Sequence, residues 1–125
     1  MTKRILIIDD EDDIREVAQT SLEIIGGWEV LTAGSSTEGL LKAETEQPDA
    51  VLLDVMLPDM DGATTFHKLQ ANPATQNIPV ILLTAKVQAA DQRRLSSLGV
   101  AAILTKPFDP IVLANQVSEA LGWNT

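Results

Sequence analysis

The stretch RILIIDDEDD, residues Arg4 to Asp13, decides the fold. It contains four consecutive apolar residues, a pattern typical of a strand buried on both faces of a parallel sheet. The apolar run stops at an uninterrupted series of acids, and a helix is expected to follow because carboxylates suit the first helical turn. The stretch therefore predicts a strand that brings acidic side chains to one edge of a sheet.

The same alternation of strand and helix continues along the chain. Further strands are predicted at about Trp28–Thr32, Ala50–Leu53, Val80–Leu83 and Ala101–Leu104. Helices are predicted after an N-cap at Asp12 or Asp13, at about 36–46, around Phe66 and Leu69, at about 88–98, and from Asp109-Pro110 onward. Five strands alternating with five helices predict an α/β fold, in which one domain over residues 1–125 has a parallel sheet covered on both faces.

Two helices show an apolar face clearly enough to name the residues that it buries. The first is expected to bury Ile14, Val17, Ala18, Leu22 and Ile25 and to end at Gly26-Gly27. The last is expected to bury Leu113, Val117 and Leu121. The chain is thus expected to carry one ordinary hydrophobic core, which its length can support.

Composition excludes several classes of protein. The 125 residues contain no cysteine and carry a formal net charge of -9. A disulfide framework and a thiolate metal site are excluded, and direct binding to nucleic acid is not expected of so acidic a surface. The apolar runs are too short for a membrane span or a signal peptide, so we expect a cytoplasmic protein that does not contact the membrane.

Polar side chains follow four of the predicted strands. Asp9 and Asp10 follow the first strand, Asp54 the third, Thr84 the fourth and Lys106 the fifth. The carboxyl ends of parallel strands meet at one edge of such a sheet, where binding sites form. Three carboxylates at one edge repel each other, and Mg²⁺ is the hard cation that such oxygen ligands favour. This arrangement suits phosphoryl transfer, with Asp54 as nucleophile and with Lys106 and Thr84 contacting phosphoryl oxygens.

Four segments in this order resemble the receiver domain of two-component response regulators. They are Ile7–Glu11, Leu52–Gly62, Leu83–Lys86 and Thr105–Phe108, and they span the whole chain. The resemblance implies a flavodoxin-like sheet with strand order 2-1-3-4-5. It also implies a phosphoprotein that catalyses only its own phosphotransfer and dephosphorylation and is not otherwise an enzyme.

The resemblance also implies a role for each matching residue. Asp54 matches the phospho-acceptor, Asp10 the direct Mg²⁺ ligand, and Asp9 a ligand that acts through water. Met56 matches the residue whose main-chain carbonyl binds the ion, whereas Thr84 and Lys106 match the hydroxyl and ammonium that hold the phosphoryl group. The peptide bond before Pro107 is expected to be cis. Glu11 is left open, as a residue that lines the site or only a solvated charge.

One position departs from the family pattern. The family often has an aromatic residue three positions before the lysine, and here that position is Ile103. A β-branched side chain cannot swing a ring inward. We therefore expect the signal to pass through the Thr84 loop and the fourth predicted helix. Met56 and Lys86 flank the path of an attacking water, and neither is a good water-orienting group, so slow to moderate dephosphorylation is expected.

The remaining polar residues are expected to be structural. Asp59 and Asp61 are typical turn residues, Asp12 and Asp13 a cap and a solvated charge, and His67 an exposed side chain. Met60 and Phe66 are expected to pack in the interior. Arg93-Arg94 is either a solvated pair or part of a partner surface.

The sequence predicts a stand-alone response regulator that takes phosphate from a sensor kinase or a histidine phosphotransfer protein. The surface formed by the fourth helix, fifth strand and fifth helix is the expected contact for a downstream protein or for a homodimer. A small-molecule phosphatase is the first alternative, but it needs a carboxylate where Met56 stands. A flavin- or nucleotide-binding module is the second, but no glycine-rich phosphate loop follows the first strand.

Overall fold

A computed structural model describes residues 2–85, 93, 95 and 97–123 of the chain. Within these residues it contains five strands, β1 to β5, and four helices, α1 to α4. In chain order they are β1 Arg4–Ile8, α1 Asp12–Ile24, β2 Glu29–Ala33, α2 Ser36–Glu46, β3 Ala50–Asp54, α3 Gly62–Ala71, β4 Val80–Thr84, β5 Ala102–Thr105 and α4 Leu113–Leu121. The helix predicted at 88–98 lies largely outside the described residues, although Leu95 is helical and buried.

The five strands form one parallel sheet in the order β2-β1-β3-β4-β5. This confirms the predicted strand order and the flavodoxin-like fold class. The order reverses beside β1, because β2 lies on one side of it and β3 on the other. That reversal opens a crevice outside the carboxyl ends of β1 and β3, where open α/β sheets bind their ligands.

The central strands are buried on both faces because each packs against two layers of helices. Ile5 and Ile7 of β1 face a core shared with Ala18 and Leu22 of α1 and with α4. The alternate residues of the same strand, Leu6 and Ile8, face a second core shared with α2 and α3. The uniformly apolar strand sequences follow from this two-sided burial, as predicted.

The first helix buries less of its apolar face than predicted. Ala18 and Leu22 are buried, but Val17 is 43% exposed and Ile25 50% exposed. Its predicted N-cap was also wrong, since Glu11 occupies that position and Asp12 and Asp13 lie in the first turn. The exit at Gly26-Gly27 is confirmed by the left-handed backbone of Gly27, with φ 71°.

The last helix begins three residues later than predicted. Asp109 does cap a turn, because its side chain accepts the Ile111 amide at 2.9 Å and its carbonyl accepts the Leu113 amide at 3.0 Å. Regular α-helix starts only at Leu113, so Pro110 is not the first helical residue. Leu113 and Val117 are fully buried as predicted, whereas Leu121 is only partly buried at the edge of the core.

Candidate phosphoryl-transfer site

Asp54 is the last residue of β3 and lies at the carboxyl edge of the sheet. It is only 4% exposed, which is unusual for a carboxylate. Its register partner on β4 is Leu83, so Thr84 at the end of that strand is close by in the sheet. The Met56 amide donates to Asp54 Oδ1 at 3.1 Å, which fixes one carboxylate oxygen. The opposite oxygen faces the cluster described next.

Lys106 connects three carboxylates at this edge. Its Nζ atom lies 2.9 Å from Asp9 Oδ2, 3.2 Å from Asp54 Oδ2 and 3.2 Å from Glu11 Oε1. Asp9 is 1% exposed and the Lys106 side chain 10% exposed, so two of these pairs are buried. Removing the lysine would leave buried carboxylates without a counter-charge, which is costly.

Burial and charge shift the proton affinities of the cluster in opposite ways. Burial raises the pKa of the Asp54 carboxyl, and Asp9 nearby adds to the rise, whereas the Met56 amide and Lys106 oppose it. Burial opposes the charge on Lys106, but the carboxylates of Asp9 and Asp54 outweigh it and raise the pKa of the ammonium. Lys106 therefore stays positively charged, and it lies beside the Asp54 carboxylate, whose ionised form is disfavoured by burial.

The acidic side chains that meet here include Glu11 and not Asp10. Oxygens of Asp9, Glu11 and Asp54 all lie within 4.8 Å of one another. Asp10, the predicted direct ligand, is exposed and does not belong to this group. The turn after β1 explains the difference: the Glu11 amide donates to Asp9 Oδ1 at 2.9 Å, and the Glu11 side chain reaches Lys106.

The donor set fits a hard divalent cation. Three carboxylates offer oxygen ligands on one side of the site, and Asp9 Oδ2 is buried with no hydrogen bond beyond its ion pair with Lys106. Mg²⁺ accepts such oxygen ligands and keeps several waters. The main-chain carbonyl of Met56 is on the loop that leaves Asp54, and the Met56 side chain is 75% exposed, so a methionine is tolerated there.

The other predicted positions are placed as follows. Thr84 is buried, and its carbonyl accepts the Lys106 amide at 2.7 Å, which ties the lysine to the end of β4. The Lys106-Pro107 peptide bond is cis, as expected. Phe66 is buried, and His67 is exposed, as is Arg93. Lys86 and Arg94 lie outside the described residues.

Asp59 makes tertiary hydrogen bonds that the sequence did not predict. Asp59 was predicted to be a turn residue, and its carboxylate also accepts three hydrogen bonds from Ser36 and Thr37 at the start of α2. These bonds, first the one from the Thr37 amide, lower the pKa of Asp59. No local sequence signal joins residues that are more than twenty positions apart.

A family model for the response regulator receiver domain matches residues 5–118. Among curated proteins, the chain is 42% identical over 110 residues to the alkaline phosphatase synthesis transcriptional regulatory protein PhoP of Bacillus subtilis, covering 88% of this chain and 45% of PhoP. It is 40% identical over 119 residues to the response regulator PleD of Caulobacter vibrioides, covering 94% of this chain and 26% of PleD. The chain thus spans less than half the length of these relatives.

Solved structures show the same architecture. A CheY-like response regulator receiver domain protein from Methanospirillum hungatei is 31% identical, with a TM-score of 0.86 and coverage of 98% of this chain and 95% of that one. The chemotaxis response regulator CheY4 of Vibrio cholerae is 26% identical, with a TM-score of 0.88 and coverage of 96% and 99%. Among the described residues, no helix has the length and apolar character needed to cross a membrane.

Proposed function

The chain belongs to the response regulator receiver family, and we propose that its Asp54 carboxylate accepts a phosphoryl group from a phosphohistidine. The observation that supports this most is the buried Asp54 carboxylate held 3.2 Å from Lys106 at the switch point of the sheet. Receiver domains take phosphoryl groups from histidine kinases in two-component signalling. The proposed donor is accordingly a sensor histidine kinase or a histidine phosphotransfer protein.

In the proposed reaction, an Asp54 oxygen attacks phosphorus and the phosphorus–nitrogen bond of the donor breaks. The histidine nitrogen leaves with the electron pair. Lys106 can pair with a phosphoryl oxygen because its ammonium is already at the cluster, and the Thr84 hydroxyl supplies a neutral donor at the end of β4. Hydrolysis of the aspartyl phosphate later returns Asp54. The proposed cycle uses only the phosphohistidine donor and water. In this proposal the chain therefore catalyses its own phosphorylation and dephosphorylation and is not a general phosphatase.

The residues proposed to hold Mg²⁺ are Asp9, Asp54 and the Met56 carbonyl, together with one further acid. Asp10 was predicted from the family pattern, whereas Glu11 is the acid that meets the other two in the structure. When bound, Mg²⁺ neutralises charge on the transferring phosphoryl group. Among the described residues, Lys106 provides one positive charge for three carboxylates, which leaves the cluster in need of a further cation.

The proposed setting is two-component signalling in the cytoplasm, with a protein as the downstream target. The predicted contact surface includes β5 and α4, and its remaining part falls on the helix predicted at 88–98. Slow to moderate dephosphorylation stays a prediction, because Lys86 lies outside the described residues. The comparison of phosphoryl half-lives between wild type and Met56→Asn tests it, with a shorter half-life expected for the variant.

The test of the proposed function is intact-mass spectrometry after incubation with acetyl phosphate, with and without Mg²⁺. One added phosphoryl group is expected, and it should be strongly reduced when Mg²⁺ is chelated. Asp54→Asn should remain unmodified. Asp49→Asn is the matched control, since Asp49 precedes the opposite end of the same strand and should leave phosphorylation intact. Equal modification of wild type and Asp54→Asn would contradict the proposal.

A further inference from the structure

Asp59 joins the loop that follows Asp54 to the first turn of α2. Its Oδ1 accepts the Ser36 amide at 3.1 Å, and its Oδ2 accepts the Thr37 amide and the Thr37 hydroxyl, both at 3.0 Å. The amides at the start of a helix have no partner within the helix, so a carboxylate there satisfies them. Here the carboxylate comes from a distant loop, because Ser35 is the local N-cap and accepts the Glu38 amide instead.

A second contact joins the same two segments in the interior. The Ser36 hydroxyl is fully buried, lies 2.8 Å from Thr65 Oγ1 and donates to the Met60 carbonyl at 3.4 Å. Thr65 in turn donates to the Asp61 carbonyl at 2.9 Å. The start of α2 is thus bonded to the middle of the loop, at Asp59 and Met60, and to the first turns of α3.

The ends of the loop are also fixed. The Met56 amide donates to Asp54 Oδ1, and the Gly62 amide donates to the Val55 carbonyl at 2.8 Å. Gly62 has no room for a side chain, because an added Cβ would lie 2.7 Å from Val55 Cα. Within this loop Leu57 is buried in the second core and Met56 pairs with Asp61, whereas Pro58 and Asp59 are exposed. The bonds that Asp59 makes therefore tie the exposed part of the loop to the start of α2.

We infer that Asp59 is a positioning residue for the Mg²⁺ site, which holds in place the loop that carries the Met56 carbonyl, the proposed main-chain ligand. This inference rests on the proposed function, since it concerns the same site. Asp59 is not one of the carboxylates that meet at Lys106. Its effect passes through the backbone between residues 56 and 59, as is common for groups that orient metal ligands from outside the ligand set.

Two variants separate position from charge. Asp59→Ala and Asp59→Asn both remove one negative charge, so a purely electrostatic role predicts equal effects on Mg²⁺ affinity. Asparagine keeps one side-chain oxygen that can accept an amide of α2, whereas alanine keeps none. A positioning role therefore predicts a larger loss for alanine. Glu119→Gln, on α4, is the control for the charge of the whole chain.

The experiment is a calorimetric titration of Mg²⁺ into the whole chain, with amide hydrogen exchange measured in parallel without Mg²⁺. We expect about tenfold weaker Mg²⁺ binding in Asp59→Ala, a smaller loss in Asp59→Asn and none in Glu119→Gln. Exchange at the Met56, Ser36 and Thr37 amides should be faster in Asp59→Ala. Thermal unfolding establishes that each variant is folded. If Asp59→Ala is not, faster exchange at the Met56 amide in Asp59→Asn than in Glu119→Gln carries the test, because a purely electrostatic role predicts no change there.

The outcomes distinguish this inference from the proposed function. Wild type that binds Mg²⁺ while Asp59→Ala and Asp59→Asn bind it equally well, or equally poorly, would overturn the inference alone. Wild type that binds no Mg²⁺ would overturn the proposed metal site. In that case, unchanged exchange at the Met56 amide in Asp59→Ala would overturn the positioning of the loop as well, and faster exchange would support it.

Discussion

At the scale of single residues, the site is a balance of buried charges. Asp9 and Asp54 are almost fully buried, and Lys106 lies within 3.2 Å of both. Such a cluster is expensive for folding, because each charge loses its hydration and repulsion between the carboxylates remains. Buried ionisable groups with shifted pKa values, such as Asp54 and Lys106, are concentrated at functional sites.

The raised pKa of Asp54 leads to a prediction about pH. Because the folded state holds this proton more tightly than the unfolded state, the free energy of unfolding falls as pH rises from the unfolded pKa through the raised folded pKa. Asparagine does not ionise and escapes this loss. In Mg²⁺-free buffer, Asp54→Asn should therefore be more stable than wild type at neutral pH, with the gap closing as pH falls below that window.

Urea unfolding at a series of pH values measures this gap. Asp49→Asn serves again as the control and should show no such gain at neutral pH. A stability difference between Asp54→Asn and wild type that is the same at every pH would contradict the explanation by burial.

At the scale of elements, the site depends on close packing of α2 against β1. Gly39 of α2 faces Ile8, whose side chain is fully buried at the end of β1. A Cβ at Gly39 would lie 2.4 Å from Ile8 Cδ1 and 2.7 Å from Ile8 Cγ1. Ile8 directly precedes Asp9, so any displacement of α2 or β1 is transmitted to the carboxylate cluster.

Gly39→Ala should accordingly lower the free energy of unfolding by about 1–2 kcal/mol. Overpacking costs about 1–3 kcal/mol, and the better helix propensity of alanine returns up to about 1 kcal/mol. Chemical denaturation measures the difference. Gly34→Ala is the matched control, because its nearest neighbour would be 3.5 Å from the added Cβ, and we expect no measurable change there. Adding Ile8→Val to Gly39→Ala should restore part of the loss; a Gly39→Ala variant as stable as wild type would contradict the packing argument.

Elements differ in how well they could be predicted from the sequence. β1, β3 and β4 were predicted to within one residue because buried parallel strands are continuous apolar runs, and their acidic or polar ends located the site. The start of α4 was predicted three residues early, because an Asp-Pro pair suits both a helix and the turn that Asp109 makes here. The exposed Val17 and Ile25 show that an apolar face can be wider than the surface that covers it.

The candidate site was also predicted only in part. The side chains of Asp9, Asp54 and Lys106 meet because the sheet brings their strands together. Which of the adjacent acids, Asp10 or Glu11, contacts Lys106 depends on the conformation of the turn after β1, which the sequence pattern does not encode. The Asp59 bonds to α2 were missed for a related reason, since they depend on tertiary structure rather than on local spacing.

At the scale of the whole molecule, a phosphoryl group on Asp54 has to change a surface elsewhere. Thr84 at the end of β4 and Lys106 just after β5 are the neighbours through which its charge first acts. Ile103 lies on β5, partly buried against the second core. Because isoleucine is stiff and has no ring, we predict that the change passes through the Thr84 loop.

Nuclear magnetic resonance of the protein with Mg²⁺ and beryllium fluoride, a mimic of the phosphoryl group, measures this. The Thr84 and Ala85 amide signals should shift, whereas the Ile103 side chain should keep its rotamer. Asp54→Asn under the same conditions should show no shift of the Thr84 and Ala85 amide signals. A new Ile103 rotamer with unmoved Thr84 and Ala85 signals would contradict the predicted route.

The most direct measurement of the central claim locates the phosphoryl group on the chain. The protein is phosphorylated by acetyl phosphate with Mg²⁺, the aspartyl phosphate is reduced with borohydride to fix its position, and peptides are sequenced by tandem mass spectrometry. We predict a single modified residue, Asp54, in the peptide that contains β3. Modification at Asp9, Glu11 or His67 with an unmodified Asp54 would contradict the claim that the end of β3 carries the phospho-acceptor.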